Sequence, residues 1–342
     1  MKTGILEFAA AVALLAGCVA PDAAERGELA LWRDGSEAKK ALVEYVAAAV
    51  DRDSPGYIPP EERIAVFDFD GTLFCETAPT YFDWMLFDHR VLEDGSYSAT
   101  EEQKAAALEA RATGKWPGLD VKRERLMAET WKGVSPEELE ESVRKFAEGP
   151  QPGFSGMKRK EAFYRPMVEV VEFLRSHGFL VYVCSGTERF MLRAVAGEGL
   201  ALPPRQIIGS DYALAASAQG GRDGISFTYG TNDVLSFCGK LDVKNLQMNK
   251  VVAMAREIGE RPVLAFGNSF SDSSMLNYAL QNKRRRSMAF MILCDDTVRE
   301  YGNLEKAEKM RKACAANGWI PISMRDDWTT IYGPGAIRTV RP

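Results

Sequence analysis

Short apolar runs alternate along this chain with longer segments in which apolar residues recur every three or four positions. The short runs are typical of strands buried on both faces, and the longer segments are typical of amphipathic helices. The runs occupy residues 63–67, 179–184, 206–209, 262–266 and 288–294. The helical patterns between them occupy residues 167–176, 188–196, 249–258 and 273–281. This alternation predicts an α/β fold built on a doubly wound parallel sheet.

Two stretches interrupt the alternation. Residues 78–165 carry helical patterns without a convincing strand, which predicts an all-helical cap inserted into the core. Residues 211–244 are rich in Gly, Asp and Asn, and they predict a small β-hairpin insertion with strands at 225–229 and 234–237. The core domain is therefore expected at residues 36–77 and 166–342, with Ser36 as the N-cap of its first helix.

The first residues have the features of an export signal. Residues 8–16 are apolar but too few to span a bilayer, and their length suits the hydrophobic region of a signal peptide. The sequence Leu15-Ala16-Gly17-Cys18 resembles the bacterial lipoprotein signal, in which the cysteine is lipidated and becomes the mature N-terminus. The resemblance implies a signal peptide at residues 1–17, a lipidation site at Cys18 and a tether at residues 18–35. An ordinary secretory signal or a small amphipathic helix is the alternative.

Composition narrows the possible chemistry. The chain has 342 residues, 46% of them hydrophobic, and a formal net charge of −5, so it can bury a core but has no overall cationic field to attract nucleic acid. It has two histidines, and its six cysteines contain no C-x-x-C pair. Zinc hydrolases, dithiol motifs and histidine nucleophiles are therefore disfavoured. Catalysis, if present, is expected to depend on carboxylates.

The strongest chemical signal follows the first predicted strand, in the sequence Asp68-Phe69-Asp70-Gly71-Thr72-Leu73. Because side chains alternate along a strand, Asp68 and Asp70 emerge on one side, and Gly71 permits an abrupt turn. Ligands of open α/β sheets bind at this carboxyl end. Two close carboxylates repel each other and need a cation, which predicts a Mg²⁺ site. The alternative is a turn in which the aspartates cap backbone amides.

Four motifs in order resemble the haloacid dehalogenase superfamily. They are residues 68–73, the Ser185-Gly186-Thr187 segment at a strand end, Lys250, and residues 262–272, which contain Gly267-Asn268 and end at Asp272. The match spans about residues 30–332 and looks closest to bacterial phosphoserine phosphatase-like hydrolases. Such proteins have a Rossmann-like core and a helical cap inserted after the first motif.

The resemblance implies a role for each motif residue. Asp68 would be the nucleophile that forms an aspartyl-phosphate, and Asp70 would be the general acid and base. Ser185 and Lys250 would bind phosphate oxygens and, with Asp272, complete the catalytic set. The remaining assignments are Gly186, Thr187 and Glu76 for substrate binding, and Asp68, Asp70, Asn268 and Asp272 for Mg²⁺.

Several of these assignments have alternatives. Ser185 and Thr187 could cap the following helix, and Asp272 could cap the helix after the fourth motif. Lys240 and Lys244 are rivals of Lys250, and Glu76 could be an exposed hinge residue.

The fourth motif commonly begins Gly-Asp in the superfamily, whereas this chain has Asn268. A neutral amide brings less charge to a metal, so Asn268→Asp is expected to strengthen the metal site.

The sequence thus predicts an exported, lipid-anchored, Mg²⁺-dependent phosphomonoesterase on the periplasmic or cell-surface side of a membrane. Its expected partner is a small phosphorylated metabolite, with no nucleic acid and with membrane contact only through the N-terminal lipid. One alternative is a phosphomutase of the same superfamily, which would recapture the phosphate. The other is a non-catalytic surface lipoprotein on the same fold.

Overall fold

The computed structural model describes residues 29–76, 80–113 and 121–340. Its helices are α1 Glu37–Val50, α2 Phe82–Leu92, α3 Glu101–Thr113, α4 Val121–Glu129, α5 Pro136–Ala147, α6 Arg165–Ser176, α7 Arg189–Gly199, α8 Met248–Glu257, α9 Ser273–Leu280 and α10 Leu304–Asn317. Its strands are β1 Ile64–Phe67, β2 Phe154–Ser155, β3 Leu180–Glu188, β4 Ile207–Ala216, β5 Leu235–Val243, β6 Leu264–Gly267, β7 Met288–Leu293, β8 Ile320–Ser323 and β9 Ile337–Arg338.

The central sheet has seven strands in the order β5-β4-β3-β1-β6-β7-β8. Strand β5 runs antiparallel to β4, and the other neighbouring pairs are parallel. From the central β1 the chain first builds β3 on one side and later returns to build β6 on the other. The order therefore reverses at β1, which is where open α/β sheets bind ligands. The predicted doubly wound fold is confirmed.

Stacked phenylalanines hold the middle of this sheet. Phe67 of β1 stacks on Phe266 of β6 with ring centroids 4.3 Å apart, and Phe266 stacks on Phe290 of β7 at 4.8 Å. All three rings are fully buried, and β1 and β6 are buried along their whole length. Each such aromatic pair stabilises a fold by about 0.5–1.5 kcal/mol beyond its buried area. This packing fixes the register of the two strands that lead into the first and fourth motifs.

Both chain ends of the described core support the sheet. Ser36 caps α1 as predicted, because its Oγ accepts a hydrogen bond from the Lys39 amide at 3.0 Å. Near the other end, the buried Trp328 packs edge-on against Trp32 with ring centroids 6.0 Å apart. Helix α10 and strand β8 extend the core beyond the elements that periodicity predicted. Residues 1–17 and Cys18 lie outside the described residues.

Of the two strands predicted for the hairpin within residues 211–244, the one at 234–237 coincides with the start of β5 and the one at 225–229 is absent. Strand β4 runs on to Ala216 and pairs with β5, so the hairpin forms one edge of the main sheet. Residues 225–229 are not a strand. Two of their apolar side chains are largely in solvent, since Ile225 is 97% exposed and Tyr229 is 56% exposed. A strand needs a buried face, and this stretch lacks one.

The four helices α2 to α5 lie within the predicted cap segment, residues 78–165. Helix α5 starts with a capping box, in which Ser135 and Glu138 accept hydrogen bonds from each other's backbone amides. The cap meets the hairpin through backbone hydrogen bonds between Phe237 and residues 133–134. The segment is not entirely helical, however, because β2 pairs with β9 near the C-terminus. Among the described residues, no helix has the length and apolar character needed to cross a membrane.

Candidate active site

The loop after β1 places the two motif aspartates at the centre of the sheet. The Asp68 amide continues the pairing with β6 by donating to the Phe266 carbonyl at 2.9 Å. The chain then turns tightly at Gly71, whose φ of +78° suits glycine. Both aspartates are buried and both line one cavity. The period-two prediction that Asp68 and Asp70 face the same site is consistent with this geometry.

Lys250 lies beneath the cavity and joins two carboxylates. Its Nζ is 2.6 Å from Asp68 Oδ1 and 2.7 Å from Asp272 Oδ1, and the lysine is fully buried. Although burial lowers the pKa of Lys250, the carboxylates of Asp272 and Asp68 together raise it above its ordinary value. We therefore take Lys250 as charged. Its rivals lie elsewhere: Lys240 is exposed on β5, and Lys244 Nζ is 2.6 Å from Glu124 Oε1.

Asp272 has both carboxylate oxygens engaged by the protein. Oδ1 bonds to Lys250, and Oδ2 accepts from the backbone amides of Asn268 and Ser269 at 3.1 Å each. A Cβ at Gly267 would lie 2.6 Å from Asp272 Cβ, so glycine permits this close approach. The sequence predicted Asp272 as a metal ligand. The observed contacts favour a different role, in which Asp272 positions Lys250 and shapes the fourth-motif loop.

Asp70 is held by one of its two oxygens. Its Oδ2 accepts a 2.6 Å hydrogen bond from Thr187 Oγ1, whereas its buried Oδ1 has no partner among the residues that the structure describes. Burial, and next the neighbouring Asp83, raise the pKa of Asp70 well above its ordinary value. A neutral carboxyl with one uncommitted oxygen is the form that a general acid needs. Thr187, predicted to bind substrate, lines the cavity and contacts this carboxyl.

Two side chains from other parts of the core hold the backbone of the Ser185-Gly186 segment in place. Asn245 Nδ2 donates to the Ser185 carbonyl at 3.0 Å, and Ser210 Oγ donates to the Gly186 carbonyl at 2.6 Å. A Cβ at Gly186 would lie 2.7 Å from Leu246, so the site needs glycine here. The helix that follows is capped by Glu188 rather than by Ser185 or Thr187. These contacts leave the Ser185 hydroxyl at the cavity.

Asn268 and Glu76 are in contact beside the fourth-motif loop. Asn268 Nδ2 donates to Glu76 Oε2 at 2.8 Å, and Glu76 Oε1 forms an ion pair with Lys306 of α10. Glu76 is therefore neither an exposed hinge residue nor free of partners. The sequence did not predict a role for Lys306, because no local pattern indicates that a lysine pairs with a glutamate 230 positions away.

The cavity has a volume of about 370 Å³ and is closed on one side by the cap. Motif residues form its floor. The opposite wall includes side chains that no motif indicated, namely Tyr81, Asp83, Trp84, Glu124, Lys244 and Leu246. The site is therefore shared between core and cap, and the Lys244–Glu124 ion pair links the two across it.

The residues present fit a hard divalent cation. Asp68, the Asp70 carbonyl and Asn268 offer oxygen donors at one edge of the cavity, and Mg²⁺ retains several waters beside few protein ligands. No donor from the described residues reaches Asn268 Oδ1, which leaves it available. The described residues contain no group of three or more His, Cys, Asp or Glu side chains placed to hold a metal. A cation bound here would therefore be held by one carboxylate, one backbone carbonyl and one amide oxygen, from Asp68, Asp70 and Asn268.

The family model for haloacid dehalogenase-like hydrolases matches residues 65–277, more than half of the chain. The chain belongs to this family. The match contains all four motifs, from Asp68 to Asp272. Membership in this hydrolase family confirms the resemblance seen in the sequence. No curated protein sequence matches the chain.

Two solved structures share the fold of this haloacid dehalogenase-like hydrolase at low identity, and a third is less similar. A conserved protein of unknown function from Anaerococcus prevotii superposes with a TM-score of 0.52 at 14% identity, covering 84% of this chain and 91% of that one. A protein of unknown function from Bordetella pertussis gives 0.50 at 16%, covering 76% and 98%. A phosphoserine phosphohydrolase-like protein from Francisella tularensis gives 0.39 at 16%, covering 75% and 94%.

Proposed function

We propose that this hydrolase is a Mg²⁺-dependent phosphomonoesterase that acts on small phosphate esters through an aspartyl-phosphate. One observation carries the proposal. A buried carboxylate, Asp68, lies 2.6 Å from a buried lysine and shares a cavity with Asp70, a second carboxyl whose pKa burial raises well above its ordinary value. A nucleophile, a cation for the phosphoryl oxygens and a proton donor are the three groups that this displacement requires.

The residues divide the reaction between them. Asp68 attacks phosphorus, the bond from phosphorus to the ester oxygen breaks, and Asp70 gives that oxygen its proton. Asp70, now ionised, takes a proton from water as the water attacks the aspartyl-phosphate, which returns Asp68 and releases phosphate. Lys250, the Ser185 hydroxyl and the Gly186 amide bind the equatorial oxygens. Asp68, the Asp70 carbonyl and Asn268 would hold Mg²⁺, whose positive charge would offset repulsion between the carboxylate and the phosphoryl group.

The cap side of the cavity indicates which leaving groups suit the site. Lys244 is paired with Glu124, and the described residues provide no cation at ion-pair distance from Asp83. Burial raises the pKa of Asp83 to about 6, with Lys244 lowering it. The wall therefore has more acidic than basic groups, with Asp83 and Glu124 against Lys244. It favours small neutral or cationic alcohols over leaving groups that bear a second anion.

The proposal includes export. The lipoprotein-type sequence ending at Cys18 supports a protein anchored by lipid on the periplasmic or cell-surface side, with the catalytic domain beyond the tether. Stable anchoring of this kind requires more than one acyl chain.

A phosphate-release panel tests the function. Phosphorylated sugars, amino acids, choline and nucleotides are each assayed with Mg²⁺ and with EDTA, using Asp68→Asn as the matched control. We expect metal-dependent release from at least one small ester, and none from the control. Isomerisation of a sugar phosphate without phosphate release would favour a phosphomutase. Binding of an ester without turnover would favour the non-catalytic alternative.

A further inference from the structure

The pair formed by Asn268 and Glu76 explains a departure from the family pattern and gives Glu76 a role. Asn268 occupies the place where the fourth motif commonly has an aspartate. Its amide nitrogen faces Glu76 Oε2 at 2.8 Å, and Glu76 Oε1 faces Lys306. Both oxygens of the glutamate are thus committed, one to an ammonium group and one to an amide.

An ionised carboxylate can only accept hydrogen bonds. The Asn268 group that faces Glu76 must therefore be NH₂, and the amide oxygen must point away from it. Lys306 Nζ faces the other oxygen of Glu76, whose side chain is 8% exposed. The Asn268 side chain is consequently held in one of its two amide orientations. In that orientation its oxygen has no protein donor among the described residues, and the residue lines the cavity beside Asp68 and Asp70.

Gly71 makes room for this arrangement. A Cβ at that position would lie 1.8 Å from Asn268 Nδ2 and 2.5 Å from Glu76 Oε2. The amide and the carboxylate therefore pack directly against the backbone of the loop that carries both motif aspartates. Glu76 follows the first motif, Asn268 belongs to the fourth motif and Lys306 to α10, and their side chains meet beside the proposed metal donors.

We propose that Glu76, held by Lys306, is a positioning residue that presents the Asn268 amide oxygen to the metal. This rests on the proposed Mg²⁺-dependent function, and it replaces the predicted substrate-binding role of Glu76. It also reverses the expectation for Asn268→Asp. An aspartate at 268 would place two carboxylates about 2.8 Å apart next to Glu76, so the variant gains a charge at the cost of strong repulsion.

The test compares wild type, Glu76→Gln, Asn268→Asp and the double variant Asn268→Asp/Glu76→Gln. Two quantities are measured: the melting temperature in EDTA and the Mg²⁺ dissociation constant by calorimetry. The matched control is Glu305→Gln, which removes another glutamate–lysine pair of α10 that is exposed. We expect Glu76→Gln to weaken Mg²⁺ binding about tenfold, as loss of a partner behind a ligand commonly does. The control should match wild type.

The Asn268→Asp variant should melt several degrees lower than wild type without metal. The double variant should recover the wild-type melting temperature and bind Mg²⁺ at least as tightly as wild type, since the introduced glutamine can donate a hydrogen bond to the introduced aspartate.

A wild type that binds Mg²⁺ and hydrolyses an ester, with Glu76→Gln binding Mg²⁺ within twofold of wild type, would overturn the positioning role alone. Tighter binding by Asn268→Asp with an unchanged metal-free melting temperature would also overturn it. If wild type and variants follow the expected Mg²⁺ pattern but no ester is hydrolysed, the positioning role stands and the proposed function fails.

Discussion

Replacing Lys250 by methionine removes the one cation that separates two buried carboxylates. Methionine is close to lysine in length and apolar, so the cavity under Asp68 stays filled. Asp68 and Asp272 lose ion pairs of 2.6 and 2.7 Å at a site where the lysine and Asp272 have no solvent exposure. Removing one partner of a buried pair typically costs about 3–5 kcal/mol, because the other charge is left uncompensated. That is a large share of the roughly 5–15 kcal/mol by which domains are stable.

The assay is urea unfolding followed by circular dichroism, with Lys309→Met as the matched control. Lys309 also pairs with a glutamate, but both side chains are exposed, so its loss should cost less than about 0.5 kcal/mol. A loss below about 1 kcal/mol for Lys250→Met would refute the reasoning, since it would mean that the buried charges are not coupled.

The destabilisation should also depend on pH. Burial already raises the pKa of Asp68 to about 7, and Asp272 adds to the rise, whereas Lys250 lowers it. Without the lysine, the folded-state pKa lies further above the unfolded value of about 4. The folded state then binds more protons than the unfolded state between these values. The difference between variant and wild type should therefore be largest well above pH 7 and shrink as the pH falls to about 7, below which Asp68 is protonated in both folded proteins. A difference that does not vary with pH would contradict this account.

Three further variants test the chemistry and the export signal. Asp68→Asn should fold normally and lose turnover, because the amide cannot act as a nucleophile; activity within tenfold of wild type would remove Asp68 from that role. Asp70→Asn should lose more activity on alkyl than on aryl phosphates, whose leaving groups need little protonation, and equal losses would count against the acid role. Cys18→Ser should shift the protein from the membrane fraction to unprocessed precursor, and a wild type that is entirely soluble would contradict lipidation.

The sequence predicted the parts of the site that depend on local order. Strand β1 is a short buried run, so its period of two was enough to place Asp68 and Asp70 together. Lys250 required a choice among three lysines, and only the fold shows that this one reaches Asp68. The prediction of a hairpin strand at residues 225–229 was wrong because composition and alternation do not reveal whether a partner surface exists.

The remaining contacts join distant parts of the chain. Asn245 supports the Ser185 carbonyl across 60 positions, and Lys306 meets Glu76 across 230. Neither residue lies in a motif, and each is an ordinary polar residue on its own. Asp83 and Glu124 come from cap helices whose placement over the sheet depends on tertiary packing. The substrate-facing wall was therefore beyond prediction from local pattern alone.

The most direct test of the account is to trap the phosphoryl group on the enzyme. Wild type is mixed with a small ester that it hydrolyses in Mg²⁺, quenched in acid and digested, and the peptide that contains Asp68 is examined by mass spectrometry. We predict a phosphoryl adduct on Asp68 that hydroxylamine removes, as expected for an acyl phosphate, and its absence in Asp68→Asn. Hydrolysis that proceeds at the same rate in Asp68→Asn, with no adduct on the wild-type peptide, would contradict the central claim.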